Sequence, residues 1–301
     1  NRKPAARRDL RDGVTLWQAR AGRAPKFKAK PSQRFYDVAI VGAGISGALV
    51  AQALAGLSLD VLVLDRRKPG GGSTSASTAL IQWEIDEPLG SLIKKIGGRR
   101  ARASYKASYA GVRTLRRKIE ALQLDADMRP RTTALIAGNS MGAAALRHEL
   151  KLRKAIDLPG RFEGAIVSAG SMELDPLKLT RGLLGLAQRG GVDIVSPGEV
   201  TALSPSAAGV FLTLATGDVI AARKVIAATG YEVLPQIPKD KYDLISTWAL
   251  ATVRQSKAVL WRDLALVWEA SDPYLYFRTT ADRRIVVGGE DAAFHDPKRR
   301  D

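Results

Sequence analysis

An α/β fold with a mainly parallel sheet is predicted by three observations in residues 35–65. A short apolar run, Phe35 to Val41, leads into a turn holding Gly42, Gly44 and Gly47. An Ala/Leu-rich helical pattern follows. A second apolar run, Val61 to Leu64, then closes on Asp65. Strand, glycine turn, helix, strand and terminal acid together describe a βαβ unit of the dinucleotide-binding kind.

Each residue type has a physical task. Gly42 lets the chain turn sharply out of the strand. Gly44 leaves room for a pyrophosphate against the backbone, and Gly47 lets the helix pack close to the strands. The helix N-terminus offers free N–H groups and partial positive charge to phosphates. Asp65, 23 residues after Gly42, stands where a carboxylate accepts hydrogen bonds from ribose hydroxyls. Residues 38–59 carry no charge over 22 positions, long enough to mimic a membrane span. The glycines and the quick return to a second strand exclude that reading, so no integral membrane segment is expected.

Composition narrows the function classes. A chain of 301 residues has room for two domains, which can be interleaved. The absence of cysteine removes disulfides, thiolate metal sites and a cysteine nucleophile, and fits a cytoplasmic protein. His148 and His295 have no metal-like spacing, so no metal is expected, and there is no GxSxG elbow. The net charge of +17 sits in two patches. Residues 1–34 carry 11 Lys/Arg against 2 Asp, and residues 94–131 carry 12 Lys/Arg against 3 acids. The first reads as a basic leader extended over the surface. The second is largely a helix whose stripe of Tyr105, Tyr109, Val112, Leu115, Ile119 and Leu122 opposes a basic face. That face is read as solvated, with attraction of an acidic partner as the alternative. No nucleic-acid-reading motif accompanies it.

Further along, residues 142–157 and 176–189 read as helices. RTTALIAG, Val192–Val195 and Glu199–Thr201 read as strands. Val210–Leu214 and Val219–Ala222 form a hairpin. Lys224 to Tyr231 reads as a separate apolar strand buried on both faces, with Gly230 at its tip able to approach a cofactor. The last third shows β-like runs at Ala258–Trp261, Tyr274–Thr280 and Ile285–Val287.

Taken together, these stretches resemble the D-amino-acid oxidase (DAO) superfamily of FAD-dependent oxidoreductases, which includes glycine and sarcosine oxidases. The resemblance is carried by VAIVGAGISGALVAQAL with Asp65, GSTSASTALIQWEID, ELDPLKLTRGLL, KVIAATGYE, STWALAT and WEASDPYLYFRTTADRRIVVGGED. It implies a Rossmann-like FAD-binding domain, mainly parallel, interleaved with an α+β substrate domain built on an antiparallel sheet. The expected division is a leader 1–34, FAD-binding segments 35–90 and 166–232, a helical and substrate-domain part 91–165, and an antiparallel substrate domain 233–301.

The resemblance also implies roles. Gly42, Gly44, Ile45, Ser46 and Gly47 would hold the FAD pyrophosphate and Asp65 the adenosine ribose, with Arg66 and Arg67 near the adenine. Ser73, Thr74, Ser77, Thr78 and Ala79 would run beneath the pyrophosphate to the flavin ring. Val200 would read the adenine through its backbone or serve as plain core, and Thr229 and Gly230 would close over the cofactor. Tyr274, Tyr276 and Arg278 alternate along one strand and so point to one side. Tyr276 and Arg278 are the candidate catalytic residues. Arg278 would pair with a substrate carboxylate, form a salt bridge to Glu269 or Asp272, or simply be exposed. Trp83, Trp248 and Tyr276 would wall a pocket or belong to the core.

The implied activity is oxidation of a C–N bond of an amine or amino acid to an imine, by hydride transfer to flavin. Oxygen or another acceptor would reoxidise the flavin. Leu57-Ser58-Leu59 replaces a glycine usual in the family. The chain stops at Asp301 before the family's final glycine-rich turn and helix, so the resemblance implies that the last flavin-side segment is lacking. The alternatives are a truncated, non-catalytic remnant of the family and an NAD-dependent dehydrogenase.

Overall fold

The computed structural model describes residues 14–22, 24–232 and 238–293. The chain begins with α1 (Leu16–Arg20), β1 (Phe35–Val41), α2 (Ile45–Leu54), β2 (Val61–Leu64), α3 (Ser73–Ala76) and β3 (Leu80–Ile81). It continues through α4 (Leu89–Ile96), α5 (Gly98–Ala121), β4 (Arg129–Ala137), α6 (Ala143–Lys154), β5 (Arg161–Phe162) and β6 (Ile166–Glu173). Then come α7 (Pro176–Arg189), β7 (Asp193–Val195), β8 (Val200–Ser206), β9 (Gly209–Leu214) and β10 (Val219–Ala227). The last strands are β11 (Ser246–Ala251), β12 (Leu266–Ala270), β13 (Leu275–Thr279) and β14 (Ile285–Ala292).

Two units share the chain. The described residues within 14–77 and 176–245, with Ala293, form the first, and 78–175 and 246–292 the second. The sequence-based division at 165/166 moves to Asp175/Pro176, because β6 pairs with β3, β4 and β5 rather than with the parallel sheet.

The first unit holds a six-stranded sheet in the order β7-β2-β1-β10-β9-β8. Its first four strands are parallel, and the hairpin β9–β10 and the pair β8–β9 are antiparallel. All four residues of β2 are buried, as a strand sandwiched on both faces requires. Helix α2 packs against α7, whose Leu177, Leu183, Leu184 and Ala187 are buried. The uncharged run 38–59 is thus divided between β1 and α2, and no helix among the described residues is long and apolar enough to cross a membrane.

Three local expectations change. The return of the hairpin and the apolar run from Lys224 are one strand, β10, which leaves the hairpin to become the parallel neighbour of β1. Its end is only half-buried, because Val225 and Ile226 sit at intermediate exposure and Ala227 is exposed. Ala258–Trp261 is not a strand. Trp261 donates to the Ala265 carbonyl at 2.9 Å and packs edge-on against Phe277 at 5.1 Å, so one indole rather than a ladder fixes that segment. The leader is not simply extended either. Thr15 and Gln18 form a capping box on α1, and Trp17 is buried at 4% exposure. Residues 1–13 lie outside the described part.

The second unit carries a mixed sheet in the order β11-β14-β13-β12-β4-β6-β3, with β5 on β6. Only β12 and β4 pair in parallel. Helix α5 buries Ala101, Tyr105 and Ile119 along the expected stripe and leaves Arg99, Arg102, Arg113, Arg116 and Arg117 exposed. Trp83 belongs to this core rather than to a pocket wall. It is fully buried, edge-on to Tyr105 and Tyr109, and donates to the Ala169 carbonyl at 2.9 Å.

Beneath these rings lies a buried ion pair. Arg153 donates to Glu149 at 2.7 Å, both are nearly inaccessible, and the guanidinium faces the Trp83 and Tyr105 rings. Glu149 also accepts the N–H groups of Leu89 and Gly90, which fixes the start of α4. Glu149→Ala leaves a buried charge uncompensated and is expected to destabilise the protein by about 3–5 kcal/mol, read as a lower urea midpoint. Replacing both partners, Glu149→Leu with Arg153→Met, is expected to recover only the part due to the unpaired charge, because the Leu89 and Gly90 N–H groups still lack their acceptor.

Candidate cofactor site

The site grows from the end of β1. Gly42 has φ +110° and donates to the Leu64 carbonyl at 2.8 Å, and a Cβ there would overlap the Ala228 carbonyl. A Cβ at Gly47 would overlap the Gly42 carbonyl in turn. The missing side chains therefore let α2 begin immediately after the strand. Its N-cap, Gly44, makes no side-chain cap, so beyond the Ile45 N–H, which Thr74 takes, the helix dipole and the remaining first-turn N–H groups suit an anionic ligand. A Cβ at Gly44 would meet only Thr74 Oγ1, at 3.1 Å, in the space a phosphate needs. Ile45 N–H donates to the same hydroxyl at 3.0 Å, while Ser46 is exposed.

Asp65 stands at the end of β2, as expected, with both oxygens engaged by backbone. Ala43 N–H donates to Oδ2 at 2.7 Å and Arg67 N–H to Oδ1 at 2.8 Å. The carboxylate thus orders the glycine turn, and each oxygen keeps a second lone pair for a ribose hydroxyl. Arg66 and Arg67 both reach Glu232 at 2.7 Å, and Arg66 also approaches Glu199 at 3.6 Å.

The Ser/Thr stretch forms the short helix α3 within the first unit, with Thr74 and Ser75 buried. Sequence reasoning missed what lies under it. Trp17 donates its indole N–H to the Ser77 carbonyl at 2.6 Å, and Gln18 donates to Ser75 Oγ at 3.3 Å. The leader's one tryptophan was the only available signal. The Thr229–Gly230 turn comes to the same place, since a Cβ on Gly230 (φ +64°) would stand 3.8 Å from Ser73 Oγ. Thr229 Oγ1 donates to the Glu232 carbonyl at 2.7 Å. Val200 is half-buried, pairs with Leu214 and packs on the core of this unit. The first unit thus gathers Gly42, Gly44, Ile45, Gly47, Asp65, Ser73, Thr74 and Gly230, and they fit a diphosphate-linked cofactor.

Thr78 and Ala79 open the second unit, and there Arg278 takes partners other than those expected. Its guanidinium is 2% exposed. Nε donates to the Thr78 carbonyl at 2.7 Å, Nη2 to the Leu174 carbonyl at 3.0 Å, and Nη1 lies 3.3 Å from Glu173. Burial pulls its pKa down to about 10, so it stays charged at neutral pH. Glu269 instead accepts the Leu275 N–H at 2.9 Å, and Asp272 bonds to Asn139 through its backbone. Tyr276 is half-buried, with its ring laid over Gly288 and 5.6 Å from the Tyr274 ring. Burial raises its hydroxyl pKa, while hydrogen bonds with Thr247 and Thr78 oppose that shift. Trp248 is half-buried on β11. Among the described residues no cluster of His, Asp and Glu could hold a metal ion.

Comparison with known proteins places this geometry. Gamma-glutamylputrescine oxidoreductase of Escherichia coli is 26% identical over 275 residues, covering 84% of this chain and 64% of its own length. The chain therefore spans less than two thirds of that relative. Glycine oxidase from Geobacillus kaustophilus superposes with a TM-score of 0.66 at 18% identity, over 88% of this chain and 74% of that one. L-amino acid deaminase from Proteus vulgaris gives 0.67 at 18% identity, over 88% and 70%. These two likenesses show the α/β fold with its two sheets. Residues 37–301 match the DAO family, described as FAD dependent oxidoreductase. The chain belongs to the DAO family of FAD-dependent oxidoreductases, whose cofactor is FAD.

Proposed function

We propose that this chain belongs to an FAD-dependent oxidoreductase that converts a C–N bond of an amine or amino acid to an imine. The carrying observation is the glycine turn. A helix start without an N-cap side chain, a Cβ-free approach at Gly44 and the Asp65 carboxylate bonded to the Ala43 N–H stand together at the end of β1. Gly42, Gly44, Ile45 and Ser46 would hold the pyrophosphate. Asp65 would hold the adenosine ribose, with Arg66, Arg67 and Val200 toward the adenine. Ser73, Thr74, Ser77, Thr78 and Ala79, with Thr229 and Gly230, would support the remainder. When bound, FAD would supply the two-electron oxidation of the C–N bond by accepting a hydride, and water would hydrolyse the imine.

The protein's own part is binding and orientation. Tyr276 is the side chain assigned to the substrate. Arg278 is assigned a positioning role, because its three nitrogens already face the Thr78 and Leu174 carbonyls and Glu173. Electrons would pass on to oxygen or another acceptor. The cytoplasm is the proposed location, in keeping with the cysteine-free composition.

Titration with FAD, followed by quenching of flavin fluorescence, should show binding. Asp65→Ala should weaken it roughly 10- to 100-fold, the cost of losing hydrogen bonds to a charged group. Unchanged affinity would exclude Asp65 from the site. Anaerobic mixing of the FAD-loaded protein with a panel of amines and amino acids should bleach the flavin band, and no bleaching across the panel would overturn the proposed activity.

Arg278→Met should lower stability in thermal or urea unfolding by about 1–3 kcal/mol for each of the Thr78 and Leu174 carbonyls left without its donor, while Glu173 keeps Arg131 at 3.0 Å. Arg278→Lys should leave the KM for amino acids and for simple amines equally affected. A selective rise for amino acids would restore the substrate-carboxylate role.

A further inference from the structure

Within the first unit, the leader and the Ser/Thr stretch lean on each other. Helix α1 has five residues and α3 four, far below the roughly 12–15 an isolated helix needs to persist in water. Each therefore depends on what it packs against. Gly72 gives α3 no side-chain cap, and its turn closes only locally, where Ser75 N–H and Oγ donate to the Gly72 carbonyl at 3.1 and 2.9 Å. From farther along the chain, α1 and α7 pack on it. Trp17 is the one buried residue of α1, and its indole N–H donates to the Ser77 carbonyl at 2.6 Å. Gln18 adds a bond to Ser75 Oγ at 3.3 Å.

The leader is fastened beyond α1 as well. Arg181 Nη1 donates to the Gly22 carbonyl at 2.9 Å. Lys28 N–H donates to the Ile194 carbonyl at 3.0 Å, and the Lys28 carbonyl accepts the Ser196 N–H at 3.1 Å. Bonds to α7 and to the β7 edge thus bring α1 to the loop. On its other side α3 meets the glycine turn, where Thr74 Oγ1 accepts the Ile45 N–H at 3.0 Å. A Cβ at Gly44 would meet that same oxygen. Helix α3 therefore stands between Trp17 and the first turn of α2. A loop that needs a docked partner to hold its shape binds in proportion to the time that partner is docked.

We propose that α1 is a clasp on the cofactor loop. Trp17 and Gln18 are positioning residues that keep residues 73–77 in the shape that receives the FAD diphosphate. Docking of the leader and binding of FAD are then coupled, and each strengthens the other by the same factor. The proposal rests on the flavin reading above only for the identity of the ligand.

Hydrogen exchange of the whole chain, read by mass spectrometry without and with FAD, tests it beside an FAD titration. Trp17→Phe keeps an aromatic ring and removes the donor, whereas Trp17→Ala removes both. In the apoprotein each should speed exchange of residues 72–77 and leave β1 and β10 as in the wild type. Trp17→Phe should weaken FAD roughly fivefold, the worth of one hydrogen bond, and Trp17→Ala should weaken it further. In the wild type, FAD should slow exchange of residues 15–20, a response that a merely structural tryptophan would not give. Should Trp17→Ala fold poorly, Trp17→Phe carries the test. Unchanged exchange of residues 72–77 in Trp17→Phe overturns the proposal. So does wild-type FAD affinity in that variant, or a leader whose exchange ignores bound FAD. Wild-type protein that takes up no FAD removes the flavin reading, and exchange in the apoprotein still decides whether α1 holds the loop.

Discussion

The candidate cofactor site depends on the close approach of Gly42 to Ala228 and of Gly47 to Gly42, which leaves no room for a Cβ at either glycine. Ala228 N–H donates to the Val41 carbonyl at 2.8 Å, and Gly42 N–H donates to the Leu64 carbonyl at 2.8 Å. Three parallel strands are thereby tied together where β1 ends. With side chains at Gly42 or Gly47, the Ala228 and Gly42 carbonyls would be struck, and α2 would have to start farther from the strand. Its unpaired N–H groups would then no longer face the space that Gly44 and Thr74 leave. One steric condition thus sets the direction of the helix dipole, the reach of Asp65 to the turn and the seat of the Ser/Thr stretch.

That part of the fold was legible in the sequence because its interactions are local. Gly42, Gly47 and Asp65 fall within a single βαβ unit, and each residue type has a steric or hydrogen-bonding task that spacing alone reveals. The stripe on α5 was legible for the same reason, since a 3.6-residue period is written into the chain. What escaped depends on long-range partners. Nothing near Trp17 announces the Ser77 carbonyl 60 positions away. Nothing near Arg278 announces Thr78, which lies 200 positions upstream, or Leu174. The alternation of Tyr274, Tyr276 and Arg278 gave the side of the strand but not what that side meets. The apolar run at Ala258–Trp261 misled because hydrophobicity without a neighbouring strand supplies no ladder.

Charge is distributed by the same division between surface and interior. The exposed arginines of α5 need no partner, because water solvates them, and the pair Arg116–Glu120 is an ordinary helical neighbour contact. In the leader, Lys28 pairs with Asp193, which also accepts from the Tyr36 hydroxyl and the Ser32 N–H, so one buried carboxylate anchors that segment to β7. The interior tolerates charge where such networks form, as at Glu149 and Arg153.

Arg278 shows how a costly interaction can define a discontinuous unit. Burying a guanidinium and a carboxylate together gives little net stability over an apolar pair, so Arg278 with Glu173 is poor value as a stability device. Its geometry accounts for it better. The second unit is made of residues 78–175 and 246–292. From β13 in the later segment, Arg278 reaches Thr78 at the very start of the earlier segment and Leu174 near its end. An apolar side chain could fill the same volume, but it could not satisfy two backbone carbonyls that would otherwise be buried without donors. The charge is therefore held where the chain enters and leaves this unit. Thr78, which it fixes, follows directly on the Ser/Thr stretch assigned to the cofactor. A residue first read as a clamp on the substrate thus holds backbone at both ends of a segment.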